Sequence, residues 1–129
     1  MYLIDSSVWI EFFSKKSTFN LETTASPHEI FIIQPIYQEV LQGIKDEKAF
    51  RAVSRSLLSA NFVENPLTFD VTEEAISIYR IARKSGITIR SSVDCLIAAC
   101  AIRNNLIVLH KDRDFTNIAT FTALKAQAI

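Results

Sequence analysis

The sequence predicts an α/β protein whose helices pack on a mostly parallel sheet. Three observations predict it. Tyr2-Leu3-Ile4, Ile30-Phe31-Ile32-Ile33 and Leu106-Ile107-Val108-Leu109 are short unbroken apolar runs, the make-up of strands buried on both faces. Between them lie segments with apolar residues at helical spacing. One of these, Ser91–Ile102, is apolar almost all round, so it reads as a helix enclosed by the rest of the chain. Strands that alternate with helices imply crossover connections and therefore parallel pairing.

The elements follow in order. Tyr2-Leu3-Ile4 is the first strand. Asp5-Ser6-Ser7 are turn and cap formers, and Val8-Trp9-Ile10-Glu11-Phe12-Phe13 continues as a helix. Residues 15–27 are polar and weakly patterned, a loop or a short helix. Ile30–Ile33 is the second strand. Pro35 suits the first helical position, and Ile36, Tyr37, Val40, Leu41 and Ile44 share one face behind it, with Glu39 on the flank. Phe50, Val53 and Leu57 mark a helix within 46–59. Residues 61–67 form a weak strand interrupted by Pro66. Thr72-Glu73-Glu74 opens another helix with acids in its first turn. Its apolar face holds Ala75, Ile78, Tyr79 and Ala82, and Gly86 closes it. Ser92 is placed to cap the helix of Asp94. Asn104-Asn105 turns the chain into the 106–109 strand. Asp112 and Asp114 precede a short helix to about Ala119, and residues 121–124 are the expected last edge strand.

The chain as a whole narrows the classes. Its 129 residues are expected to form a single domain, 1–129, with room for a real core. Hydrophobic residues make up 49%, which argues against disorder. Lys plus Arg (14) equals Asp plus Glu (14), so contact with nucleic acid must come from local patches. Cys95 and Cys100 fall on different faces of one helix and read as core residues. The presence of only His28 and His110 argues against a zinc site with several histidine ligands. The enclosed helix is far short of the roughly 20 residues that span a bilayer. No basic and apolar leader opens the chain, so a cytoplasmic protein without a membrane segment is expected.

In parallel sheets, ligands bind outside the carboxyl ends of the strands. Asp5 directly follows the first strand, Glu39 lies early in the helix after the second, and Asp112 lies just past the 106–109 strand. Asp94 stands at a helix start, on the same edge. Each has a plain reading alone: a turn residue, a solvated helix charge, helix caps. Together they aim four carboxylates at one rim. Two like charges about 4 Å apart cost on the order of 4 kcal/mol at an effective dielectric of 20. Such a group requires protonated acids or a cation. Oxygen-only donors suit Mg²⁺ or Mn²⁺, which activate water and neutralise phosphate. Arg80, Arg83, Lys84 and Arg90 occur between Ala75 and Val93 without one acid, and Lys111 and Arg113 flank Asp112. Arg90, nearest to Asp94 in sequence, is the candidate phosphate contact.

Four segments carry a resemblance. They are Leu3-Ile4-Asp5-Ser6-Ser7-Val8-Trp9, Gln38-Glu39-Val40-Leu41-Gln42-Gly43, Ile89-Arg90-Ser91-Ser92-Val93-Asp94-Cys95-Leu96-Ile97-Ala98-Ala99, and Leu109-His110-Lys111-Asp112-Arg113-Asp114-Phe115. In this order they resemble the PIN-domain ribonucleases, and among them the VapC-type toxins of type II toxin–antitoxin pairs. The resemblance implies a three-layer α/β/α sandwich, usually a homodimer. It implies an endoribonuclease that uses Mg²⁺ or Mn²⁺ to hydrolyse RNA and is silenced by a cognate antitoxin. It casts Asp5 and Asp94 as principal metal ligands, with Glu39 and Asp112 completing the site. Asp114 supports the turn or the following helix, and Ser6 or Ser7 helps to hold a water or a phosphate. The alternative is a catalytically inactive PIN-like module that binds a partner protein. A receiver-like domain would need an acceptor Asp near residues 60–66, and an aspartyl phosphatase a second Asp where Ser7 stands.

Overall fold

The structure, a computed structural model, describes residues 1–129. The order of elements is β1 (Tyr2–Ile4), α1 (Ser6–Phe13), β2 (Ile30–Ile32), α2 (Gln34–Gln42), α3 (Glu47–Leu58), β3 (Asn61–Phe62), α4 (Phe69–Lys84), α5 (Ser92–Arg103), β4 (Ile107–His110), α6 (Arg113–Ala119) and β5 (Lys125–Ala128). All five strands are parallel, in the order β3-β2-β1-β4-β5. The chain moves outward from β1 through β2 to β3, then crosses back to β4. Right-handed crossovers therefore set α1, α2 and α3 on one face and α4, α5 and α6 on the other. The packing agrees: α1 meets α2 and α2 meets α3, while α4 meets α5 and α5 meets α6. The result is the expected three-layer sandwich.

The direction of travel reverses between β1 and β4, which is where a crevice opens in such sheets. Tyr2 is level with Ile30 on one side and Ile107 on the other. The carboxyl ends of β1, β2 and β4 are therefore nearly flush, and Asp5 emerges beside His110.

The enclosed helix is α5, with Cys95, Ile97, Ala98, Ala99, Cys100 and Ala101 all buried. Its small side chains let α4 and the sheet approach from both sides. Cys95 and Cys100 are free thiols in this interior. No helix is long and apolar enough to cross a membrane.

Several boundaries differ from the sequence reading. Helix α4 begins one turn before Thr72, because Thr68 caps it, its hydroxyl accepting from Val71 N–H at 3.3 Å. Its end is as expected. Gly86 takes φ +78°, and Ile87 N–H reaches back to Ala82 O at 2.9 Å. Ser91 rather than Ser92 is the cap residue of α5, and its hydroxyl makes no capping bond. Residues 15–29 hold only two 3₁₀ turns, Leu21–Thr23 and Pro27–Glu29. The strand expected over 61–67 shrinks to two residues, and β4 lies one residue later than its apolar run. The last strand is Lys125–Ala128, not 121–124. It is an edge strand, held by backbone pairing with β4, and needs no apolar run of its own.

Ala98 is fully enclosed, with 0% exposure. Ala98→Leu forces extra methylenes into that interior. It is expected to lower stability by about 1–3 kcal/mol, read as a lower urea midpoint at unchanged slope.

Candidate active site

Two of the acids do double duty as helix caps. Asp5 is the N-cap of α1: its Oδ2 accepts from Ser7 N–H at 3.1 Å and from the Ser7 hydroxyl. The same hydroxyl oxygen accepts from Lys111 N–H at 3.2 Å, which ties the end of β1 to the end of β4. Asp112 is the N-cap of α6, with Oδ1 accepting from Asp114 N–H at 3.0 Å. Asp94 enters from above, in the first turn of α5, and Asp114 lies in the first turn of α6. Phe115, fully buried beneath, fixes that turn.

One carboxylate oxygen each from Asp94, Asp112 and Asp114 lie within 4.8 Å of one another. Asp5 adds its charge to the same place, since it acts electrostatically on Asp94 and is itself acted on by Asp112. The cost of this crowding is visible in the protonation of the two most central groups. Burial, then the negative charges of Asp5, Asp112 and Asp114, push the Asp94 carboxyl up to about 8. Burial likewise raises Asp5 above the ordinary carboxylate range, against the lowering effect of the Ser7 hydrogen bonds. Asp94 Oδ2 is buried without any hydrogen-bond partner. A buried carboxyl oxygen that no donor meets, among like charges, is a place for a cation once the proton leaves, and oxygen-only donors select a hard divalent ion.

Basic groups stand around this centre. Arg90 Nη2 lies 3.3 Å from Asp112 Oδ1, its Nε lies 3.9 Å from Asp114 Oδ2, and its backbone N–H donates to Asp114 at 3.2 Å. The guanidinium is mostly exposed. With Ser7, Lys111, Asp112 and Arg113 it lines an open cleft of about 520 Å³ without an apolar wall. Lys111 Nζ is held by Glu11 at 2.6 Å.

The structure thus brings Asp5, Asp94 and Asp112 together, as the strand and helix pattern predicts. Glu39 is not one of the three acids whose oxygens meet within 4.8 Å. Glu39 is exposed, and it lines a groove between α1, α2 and α3 with Ile10, Phe13, Val40 and Ile44. Asp114, expected only as support, is a full member of the group at 1% exposure. Its signal was in the sequence, since acids at an N-cap and two residues later both stand at a helix mouth. Ser6 is buried, and Ser7 rather than Ser6 grips Asp5.

An acid after the first strand, one opening the enclosed helix and a pair after the fourth strand is a pattern with relatives. The PIN domain model matches residues 2–120. The chain belongs to the PIN-domain family. Ribonuclease VapC11 of Mycobacterium tuberculosis and VapC ribonuclease Mb1587 of Mycobacterium bovis are each 39% identical to it over 134 aligned positions, covering 98% of this chain and 97% of theirs. Among solved structures, VapBC-1 of nontypeable Haemophilus influenzae superposes with a TM-score of 0.77 at 18% identity, over 98% of this chain and 96% of that one. A toxin–antitoxin complex from Klebsiella pneumoniae gives 0.75 at 18% identity, over 96% and 95%. At such identity these two report a shared PIN fold.

Asp94 should leave two pH signatures. Its carboxyl titrates at about 8 in the folded chain against an ordinary 3.8. A raised folded value favours the fold below the ordinary pKa, and that contribution is lost as pH rises through about 8. In EDTA, melting temperature is expected to fall over that window through this group, and Asp94→Asn to flatten the fall. A cation must displace the same proton. Calorimetric Mn²⁺ affinity is therefore expected to weaken by up to about tenfold per pH unit below 8.

Proposed function

We propose that this PIN-domain protein is a divalent-metal-dependent endoribonuclease and the toxin of a toxin–antitoxin pair. The observation that carries the reading is the buried, unpartnered Asp94 oxygen in the group formed with Asp112 and Asp114, under the charge of Asp5. The ribonuclease relatives support RNA as substrate. The toxin–antitoxin complex of like fold supports a cognate antitoxin as partner. Residues 1–129 act as one nuclease domain in this reading.

Asp94, Asp112 and Asp114 are the residues that would hold the ion, with Asp5 completing the negative field. Mg²⁺ is the first candidate and Mn²⁺ the second, both being oxygen-seeking ions. When bound, such an ion supplies Lewis acidity toward a phosphodiester and lowers the pKa of water. The chain does the rest. Ser7 holds Asp5 and the start of the Lys111 turn in one geometry. Arg90, Lys111 and Arg113 line the approach and meet phosphate oxygens. Arg90 is exposed enough to exchange Asp112 for an incoming phosphate. Hydrolysis leaves a 5′-phosphate and a 3′-hydroxyl. An inactive interaction module is disfavoured, because it would keep four crowded acids at a cost in stability for no return.

Pairing of two copies belongs to the same reading. Helix α4 exposes Phe69 and Ile76. It carries Asp70, Glu73 and Glu74 in its first half and Arg80, Arg83 and Lys84 in its second. An antiparallel α4 from a second copy sets acids against bases around Ile76.

Wild-type protein is expected to cut single-stranded RNA in Mg²⁺ or Mn²⁺ and to stop in EDTA. Asp94→Asn is expected to lower kcat at least about 100-fold, the upper end of what loss of an outer metal-site partner costs. Glu39→Gln, at an exposed residue outside the 4.8 Å group, is expected to cost less. Gel assays of cut ends measure each. Ile76→Glu is expected to shift the protein from dimer to monomer by light scattering, and a wild-type monomer would refute the α4 assignment.

A further inference from the structure

The rim that carries the acids also carries a second depression of different chemistry. Parallel register puts Ile33 level with Asp5. Neighbouring strands lie about 4.8 Å apart, so Gln34, the next residue, opens α2 roughly one strand over from the acids. One strand further, Phe62 is level with Ile32. Between them lies a hollow of about 460 Å³ walled by Gln34, Tyr37, Gln38, Leu58, Phe62 and Asn65.

Its make-up is specific. Three side chains are amides, two are aromatic, one is aliphatic and none is charged. The three amides and Leu58 are exposed. The aromatic wall is fixed: Tyr37 and Phe62 stand edge to face with centroids 6.0 Å apart, and the Tyr37 hydroxyl is hydrogen-bonded to Ser54 Oγ at 3.0 Å. Without a cation, the hollow offers a phosphate no charge to pair with, unlike the cleft of Arg90, Lys111 and Arg113. An amide presents a donor and an acceptor side by side, which matches the edge of a nucleobase, and an aromatic or aliphatic wall receives its face.

We propose that this hollow is a subsite receiving one unpaired nucleobase of the substrate strand, a short step from the bond that is cut. The proposal rests on the ribonuclease reading. The acids and the basic cleft handle phosphates, which every RNA shares, and the amides choose among bases. Gln34 and Gln38, a turn apart on α2, are the specificity-determining pair. Their backbone is set by the end of β2, so the base is held at a fixed distance from Asp5.

The test is cleavage of short single-stranded oligoribonucleotides that differ at one position beside the cut, with wild type, Gln34→Ala/Gln38→Ala and Gln38→Glu. Both changes are at exposed positions, and melting temperatures verify the folds. Wild type is expected to prefer one base at that position by at least about tenfold in kcat/KM. The double alanine variant is expected to bring the four bases within about twofold of one another. Gln38→Glu, which trades a donor for an acceptor, is expected to move the preference toward bases that present an amino group. A structural role would lower all four rates together without changing their ratio. If wild type cuts and the variants keep its preference, the subsite is overturned and the nuclease stands. That result, with loss of binding to a protein partner, reassigns the hollow to that partner. If wild type cuts none of the RNAs in Mg²⁺ or Mn²⁺, the nuclease reading and the subsite fall together.

Discussion

Mutual repulsion among four aspartates is the constraint around which the rest of this fold is arranged. Three of them lie within 4.8 Å of one another through one oxygen each, and one of these, Asp94, keeps its proton until about pH 8. A chain gains nothing in stability by assembling such a group. It is tolerated because the sheet beneath is built of Leu3, Ile4, Val108 and Leu109, all at 0% exposure, and because α5 is buried behind it. A proton on Asp94 relieves part of the charge in the metal-free state, and a divalent ion relieves more of it.

Helix starts soften the same repulsion. Asp5 and Asp112 each accept backbone N–H groups as N-caps, and Asp94 lies in the first turn of a twelve-residue helix. Positive helix ends thus converge on the place where negative charge is concentrated. The two roles are linked: an acid that caps a helix has its carboxylate direction fixed by the backbone, so the site is rigid before any ligand arrives. Ser7 extends this. By donating to Asp5 and accepting from Lys111 N–H, it joins the carboxyl ends of the two strands that flank the switch point.

How much of this was legible in the sequence depended on which physical rule governed each residue. Asp5 and Asp112 were readable because strand, acid, helix is a local pattern, and the cap that makes it is local too. Asp94 was readable only jointly: alone it could merely favour the helix start, and the acids expected at the same edge decided it. Strand order puts Glu39 near the rim, but it does not set the height or direction of that side chain, which depend on how α2 descends. Asp114 was undervalued for the opposite reason. It looked like an ordinary cap, and only the approach of α5 and Arg90 shows it to be enclosed. The β5 strand left no apolar trace since backbone pairing at an edge selects almost no side chains, and Thr68 was overlooked beside the more acidic Thr72-Glu73-Glu74.

The distribution of charge along the rim bears on how such a molecule could discriminate among RNAs. Lys plus Arg and Asp plus Glu balance at 14 each, so no long-range field draws a polyanion to the surface. The cleft itself offers three cations, Arg90, Lys111 and Arg113, of which Arg90 and Lys111 are already paired with acids. Phosphate contacts of that number give modest, salt-sensitive affinity and carry no sequence information. Selection among strands must then come from groups that read bases or shape. On this surface the uncharged amides and rings beside β2 and β3 meet that requirement, and they lie on the rim where the acids stand.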